Sequence, residues 1–364
     1  MKKILFIIVC STLLFACDSK EFRIDGKVDA VDDSAKVFML ATDEALSVVD
    51  SAVVSGGKFS FSGPYHSRTV RMLLVEGKGS GGPVVLEPGV IKVSFADVMS
   101  RGGTEGNDIL QRFINGEKHL ADLKTATSPA FLSKFPIGEA MLDSLLTARD
   151  IAEEYLSKYA TIAIEGNVDN GLGFYILSRS YELLNIFQLK DMLNRVPLFL
   201  RDSRYKLISE FTSHRLLSEK NKIATTVGRE YCNFELPDIN GKNILFSDLV
   251  GKNTYTLLQF WASWCAPCRQ HLPSLVDIYK KHSHNGLAIV GLSLDSSIEE
   301  CREAVSSFGL PWIQLCNPSG SSSEVAAAYG IDAIPANVLI DRSGIIVARD
   351  ISCEELDSIF AAVR

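Results

Sequence analysis

The sequence predicts a C-terminal α/β domain preceded by a small β-sandwich-like domain and a helical segment, on three observations. Short runs rich in Val, Ile and Phe, parted by Gly, Asp, Ser and Pro, fill residues 22–105. From 106 to 225 the apolar residues recur at helical spacing. From 227 to 364 strand-like and helix-like runs alternate, which calls for a central sheet with helices packed on it. At 364 residues the chain is also long for a single core. Its hydrophobic fraction of 46% and charged fraction of 22% are those of an ordinary globular protein. A net charge of −7, with no run of Lys and Arg set against it, argues against nucleic acid as a partner.

In the β region, "VVSGGKFSFSG" predicts a hairpin whose turn takes its positive φ from Gly56 and Gly57. "GKGSGG" (Gly77 to Gly82) has the glycine spacing of a dinucleotide loop. Pro83 and another apolar strand follow where that loop needs a helix, so it reads as a turn. In the helical region Met141, Leu145, Ala148, Ala152, Tyr155, Leu156 and Tyr159 predict one apolar helix face. "GFYILSRSYELLNIFQLKDML" reads as a further helix before a break at Pro197, and "RYKLISEFTSHRLLSEKNKIA" as a third. No chemical constellation falls here, and His214 with its Lys and Glu neighbours reads as a solvated helix face. The segment is a helical spacer.

Residues 1–17, "MKKILFIIVCSTLLFAC", place Lys2 and Lys3 before an apolar stretch that ends in small residues. That is the layout of a secretory signal peptide, too short to span a bilayer comfortably. "LFAC" (Leu14 to Cys17) resembles the bacterial lipobox, which implies lipidation of Cys17 and a body held at the membrane by its lipid. The expected location is the cell envelope, facing the periplasm or the exterior, where disulfides persist. Of the eight cysteines, Cys232, Cys265, Cys268, Cys301, Cys316 and Cys353 follow Cys17. Only Cys265 and Cys268 are close together. The other four read as small buried thiols, with Cys301 and Cys316 able to approach if their helix and strand pack together.

"FWASWCAPCRQHLP" carries the chemistry. "TYTLLQFWA" is an apolar strand buried on both faces, and "CRQHLPSLVDIYKKH" is a helix. Cys265 then sits at the helix start, where free N–H groups and the positive end of the helix dipole favour the thiolate. Cys268 stands one turn on, and Pro267 suits a first turn because its missing N–H would be unpaired anyway. Trp261 and Trp264 would shelter the site and leave one thiol exposed. Cys265 attacks a disulfide and Cys268 resolves the mixed disulfide. With His271 the pair offers at most three ligands where structural zinc takes four, and Arg269 stands where haem attachment needs His. No metal or cofactor is expected.

"LQFWASWCAPCR", "VGLSLD" and "YGIDAIPANVLIDRSGII" resemble, in order and spacing, the thioredoxin fold of membrane-tethered periplasmic thiol-disulfide oxidoreductases of the TlpA and ResA kind. The resemblance covers about residues 227–364. The part ending "GGTEGNDILQRF" is similar to a β domain of unknown function that precedes such domains in bacterial lipoproteins. It implies a redox-active disulfide Cys265–Cys268, with Pro335 as a cis-proline against it. The backbone of Ile334 would pair with an extended substrate segment, and Trp264 would line the binding surface. Three positions depart from the pattern: Gln259 replaces a buried acid, His271 a glutamate, and Ala336 a threonine. His271 is the candidate for proton transfer to Cys268.

The expected function is disulfide exchange with extracytoplasmic protein or small-molecule substrates, in the reducing direction that the resemblance implies. A separate electron donor protein would recharge the pair. Two rivals are a thiol peroxidase and a surface-binding lipoprotein whose thioredoxin-like part only docks a partner. The peroxidase pattern P-x-x-x-T-x-x-C has no match before Cys265.

Overall fold

A computed structural model describes residues 21–316 and 324–362, apart from 30, 44, 66, 80 and 97. The signal segment and Cys17 lie outside the described residues. The chain divides into two compact units, Met1–Thr212 and Ser213–Arg364.

The first unit opens with eight strands: β1 (Glu21–Val28), β2 (Lys36–Leu40), β3 (Val48–Val53), β4 (Lys58–Pro64), β5 (Thr69–Val75), β6 (Gly81–Leu86), β7 (Gly89–Phe95) and β8 (Met99–Gly102). They form two four-stranded sheets, ordered β4-β1-β7-β8 and β3-β2-β5-β6. Alternation builds the core between them. Phe22, Ile24 and Val28 of β1, Phe59 and Phe61 of β4 and Ile91, Val93 and Phe95 of β7 are buried with Val37, Met39, Leu73 and Val84. The residues between them on β1, Arg23 and Lys27, point outward.

The turn at Gly56 (φ 56) and Gly57 (φ 69) forms as expected, with Ser55 and Lys58 exchanging backbone hydrogen bonds of 2.9 and 3.1 Å. The flanking strands do not pair as a hairpin, however: β3 joins β2 and β4 joins β1. The turn is a corner between sheets. Period-two alternation marks the buried face of a strand but not which strand it pairs with.

Six helices follow: α1 (Glu105–Ala126), α2 (Pro129–Leu132), α3 (Glu139–Glu165), α4 (Gly171–Ser180), α5 (Ile186–Arg195) and α6 (Ser203–Ala224). Asn107 of α1 completes the edge of β6: its side chain accepts from Val85 N–H (3.0 Å) and donates to Val85 C=O (2.8 Å). Two expectations change here. The stretch 173–193 is two helices, because Asn185 caps a new one by accepting from Phe187 N–H at 3.0 Å. The buried stripe of α3 is Leu156, Ala160, Ala163 and Ile164, whereas Met141 and Tyr155 are exposed. Apolar spacing defined a stripe, but tertiary packing covers only its C-terminal half.

The second unit takes in the last turns of α6. Asn221 Nδ2 donates to Ala327 C=O (2.8 Å), Thr225 Oγ1 to Tyr329 C=O (3.2 Å), and Arg349 Nη1 to Thr225 Oγ1 (2.7 Å). A hairpin of β9 (Glu235–Pro237) and β10 (Asn243–Leu245) turns at Gly241. Then come β11 (Tyr255–Trp261), α7 (Ala266–His282), β12 (Leu287–Ser293), α8 (Ile298–Phe308), β13 (Ile313–Cys316), α9 (Glu324–Ala328), β14 (Ala336–Asp341), β15 (Ile346–Arg349) and α10 (Cys353–Ala362). Five strands form one sheet, β13-β12-β11-β14-β15. β11 runs parallel to β12 and antiparallel to β14. It is therefore central, and every residue from Thr256 to Trp261 is buried. This is the thioredoxin fold, in a mixed α/β chain that begins with a β-rich region and a helical segment.

Candidate active site

The site forms where the central strand β11 ends and α7 begins. Cys265 caps α7, and its Sγ accepts a hydrogen bond from Cys268 N–H at 3.2 Å. The two cysteines are joined in a disulfide, with their Cα atoms 5.2 Å apart. α7 holds the pair by burying Cys268, Leu272, Leu275 and Val276 in one stripe. The first-turn N–H of Cys268 and the positive end of the helix dipole both favour negative charge on the Cys265 sulfur.

Across the site the Ile334–Pro335 peptide bond is cis, and the Ile334 carbonyl oxygen lies 3.6 Å from Cys265 Sγ. β14 begins at the next residue, Ala336, and pairs with Phe260 of β11. Sheet register thus brings Ile334 beside Cys265, 69 positions earlier in the chain.

The two tryptophans part company. Trp264 is 59% exposed beside Cys265. Trp261 is buried, its Nε1–H donating to Gln314 Oε1 at 3.0 Å, so it shelters nothing at the surface. Neither cysteine is open in the disulfide form: Cys265 is 4% exposed and Cys268 1%. The last residue of a central strand points into the core, and Trp261 occupies that place.

His271 is half-buried on α7, and its Nε2 lies 3.9 Å from Cys353 Sγ at the start of α10. Burial lowers the imidazole's pKa against the opposing charge of Glu354, and burial raises that of the Cys353 thiol. Gln259 is buried on β11, with its Nε2 donating to Phe260 C=O at 3.3 Å and its Oε1 unpaired. Cys301 and Cys316 are both buried, and the neighbouring Cys316 thiol together with burial pushes Cys301 up.

One residue of this neighbourhood escaped the sequence reading. Asp295, fully buried, accepts from Ser263 N–H (3.0 Å to Oδ1), Ser263 Oγ–H (2.8 Å) and Ser293 Oγ–H (2.7 Å). It pins the turn that carries Trp264 and Cys265. The signal was "VGLSLD", a strand ending in an acid two positions after a serine. Among the described residues no group of three or more His, Cys, Asp or Glu side chains converges as for a metal ion.

Residues 227–349 match the AhpC/TSA family, and residues 22–110 match a domain of unknown function, DUF4369. The thiol-disulfide oxidoreductase ResA of Bacillus subtilis (strain 168) is 31% identical over 126 residues, 35% of this chain and 68% of that protein. ResA of Bacillus thuringiensis (strain Al Hakam) is 31% identical over 121 residues, 33% of this chain and 67% of that one. The chain belongs to the ResA-like thiol-disulfide oxidoreductases. It is an enzyme of that class. Among solved structures, a thiol-disulfide oxidoreductase from Bacteroides fragilis NCTC 9343 is 35% identical and covers 37% of this chain and 100% of that one, with a TM-score of 0.35. Of Gln259, His271 and Ala336, the three positions that the sequence analysis set apart, only His271 is of a type ionisable near neutral pH.

Proposed function

We propose that the protein is a lipid-anchored, extracytoplasmic thiol-disulfide reductase in which Cys265 attacks and Cys268 resolves. The observation that carries this is the Cys265 sulfur at the start of α7, accepting Cys268 N–H, bonded to Cys268 and facing Ile334. In the reduced enzyme Cys265 attacks one sulfur of a substrate disulfide as a thiolate. The substrate's other sulfur leaves as a thiolate and takes a proton. Cys268 then loses its proton and attacks the Cys265 sulfur, which releases the second substrate thiol and closes Cys265–Cys268. Two electrons pass to the substrate, and a donor protein's dithiol must return them.

The Ile334 backbone would hold an extended substrate beside the sulfurs, and Trp264 would offer it an exposed apolar surface. His271 is a proton carrier to Cys268 only if it moves, because its ring faces Cys353 here. Cys17 would carry the lipid, and among the described residues no helix is long and apolar enough to cross a membrane. By sequence we read four parts, a signal peptide 1–17, a β domain 22–105, a helical spacer 106–225 whose last turns belong to the second compact unit, and a thioredoxin-like domain 227–364.

Exchanging Cys268→Ala tests the reading. The variant should lose disulfide reduction and accumulate mixed disulfides through Cys265, which mass spectrometry of trapped partners would identify. Full turnover in that variant would contradict it. Equilibration with thiol buffers fixes the direction: a reductase couple lies well below about −180 mV, near the thioredoxin end of the range.

A further inference from the structure

The outer face of the sheet β4-β1-β7-β8 carries a groove of about 990 Å³ in the first unit. Its charged lining is Arg23 and Lys27 of β1, Lys58 of β4, Lys92 of β7 and the buried Arg101 of β8, against one acid, Asp25. Arg23 Nε already binds Asp25 Oδ1 at 2.8 Å, which neutralises both. Lys27 and Lys58 stand directly opposite each other across the β1–β4 ladder. Like charges so placed destabilise a sheet pair. Lys92 adds a third cation on the next strand, opposite Asp25. A chain of net charge −7 thus gathers unneutralised positive charge on one sheet face, in a spatial cluster that no run of Lys and Arg announces.

The same strand begins close to the residue that would carry the lipid. β1 begins at Glu21, and only three residues separate it from Cys17. Extended chain spans at most about 3.6 Å per residue, so the strand start lies within roughly 14 Å of a lipid held on Cys17. Anionic headgroups attract such clusters within about a Debye length of the surface.

We propose that this groove docks against the anionic phospholipid surface to which the chain is tethered, with Lys27, Lys58 and Lys92 on the headgroup phosphates. The choice of lipid as the occupant rests on the anchor reading above. The interaction would orient the first unit on the membrane and supply the second signal that a lipid anchor needs for stable attachment.

The test uses residues 17–364 with Cys17→Ser, the mature chain without its lipid, and sedimentation with vesicles. One set contains phosphatidylglycerol at one part in three, and the other is phosphatidylcholine alone. Binding should occur on the anionic vesicles only, fall away between 0.05 and 0.5 M salt, and weaken roughly fivefold for each of Lys27→Gln and Lys58→Gln. Both variants should reduce disulfides as the parent does and unfold no earlier, since each removes a like-charge contact. Equal binding to both vesicle types, or binding untouched by the two substitutions, would overturn the proposal. Release by millimolar inorganic phosphate at constant ionic strength would overturn it too, by reassigning the groove to a free anion. The anchor is read separately, from the mass of the N-terminal peptide of membrane-extracted protein. Its failure leaves the vesicle result to decide the groove by itself.

Discussion

At the scale of single residues, the turn that carries Cys265 depends on a buried acid. Asp295, itself fully buried, holds the Ser263 N–H and the hydroxyls of the half-buried Ser263 and the buried Ser293. Removing one partner of such a network strands the others, at about 1–3 kcal/mol for each orphaned group. Asp295→Ala should therefore lower the unfolding free energy by about 2–4 kcal/mol, read from the urea midpoint at unchanged slope. His271 gives a pH prediction. Its folded pKa is lowered by burial, so the unfolded chain takes up that proton first as pH falls. Its contribution is present above the unfolded value of about 6.5 and is lost as pH drops below it. His271→Gln should flatten that acid-side decline in melting temperature below about pH 6.5, and an unchanged slope would remove the argument. The position of Cys265 and Cys268 at the start of α7 was legible from the apolar strand before them and the helical run after them. Asp295 was not, because a buried acid looks like any other acid until its donors are folded around it.

Elements were legible where periodicity was strong, and their boundaries where a capping residue was noticed. The eight-strand region and the buried central strand β11 follow from composition and alternation. The break between α4 and α5 was hidden, since "YELLNIF" continues the apolar pattern and only Asn185 marks the new start. α4 itself is positioned by two close backbone features. Asn170 Oδ1 accepts from Leu172 N–H at 3.0 Å, and a Cβ on Gly173 would lie 2.1 Å from the Asn167 carbonyl oxygen. Asn170→Ala should cost about 1 kcal/mol, the usual worth of a cap. Gly173→Ala should cost more, about 2 kcal/mol or above, because it pushes against backbone. Parallel chemical denaturation orders the two, and a larger loss for the cap would contradict the geometry.

For the whole molecule, sequence patterns gave three successive regions, whereas compactness gives two units that divide within α6 at Thr212 and Ser213. The reason lies in Asn221, Thr225 and Arg349, whose hydrogen bonds tie the end of a helix to the second unit. A helical period cannot reveal that its last turns pack on a different core. A fragment beginning at Ser213 should therefore unfold cooperatively and at a higher temperature than one beginning at 227, and equal melting would refute the role given to those turns. The account of the enzyme finally rests on one ionised sulfur in the full chain. The direct measurement is the rate of iodoacetamide alkylation at Cys265 in the reduced protein, followed against pH by peptide mass spectrometry. Half-maximal reactivity is predicted clearly below the pH of about 8.5 that suits a free cysteine. A midpoint at or above that pH, or Cys268 reacting first, would contradict it.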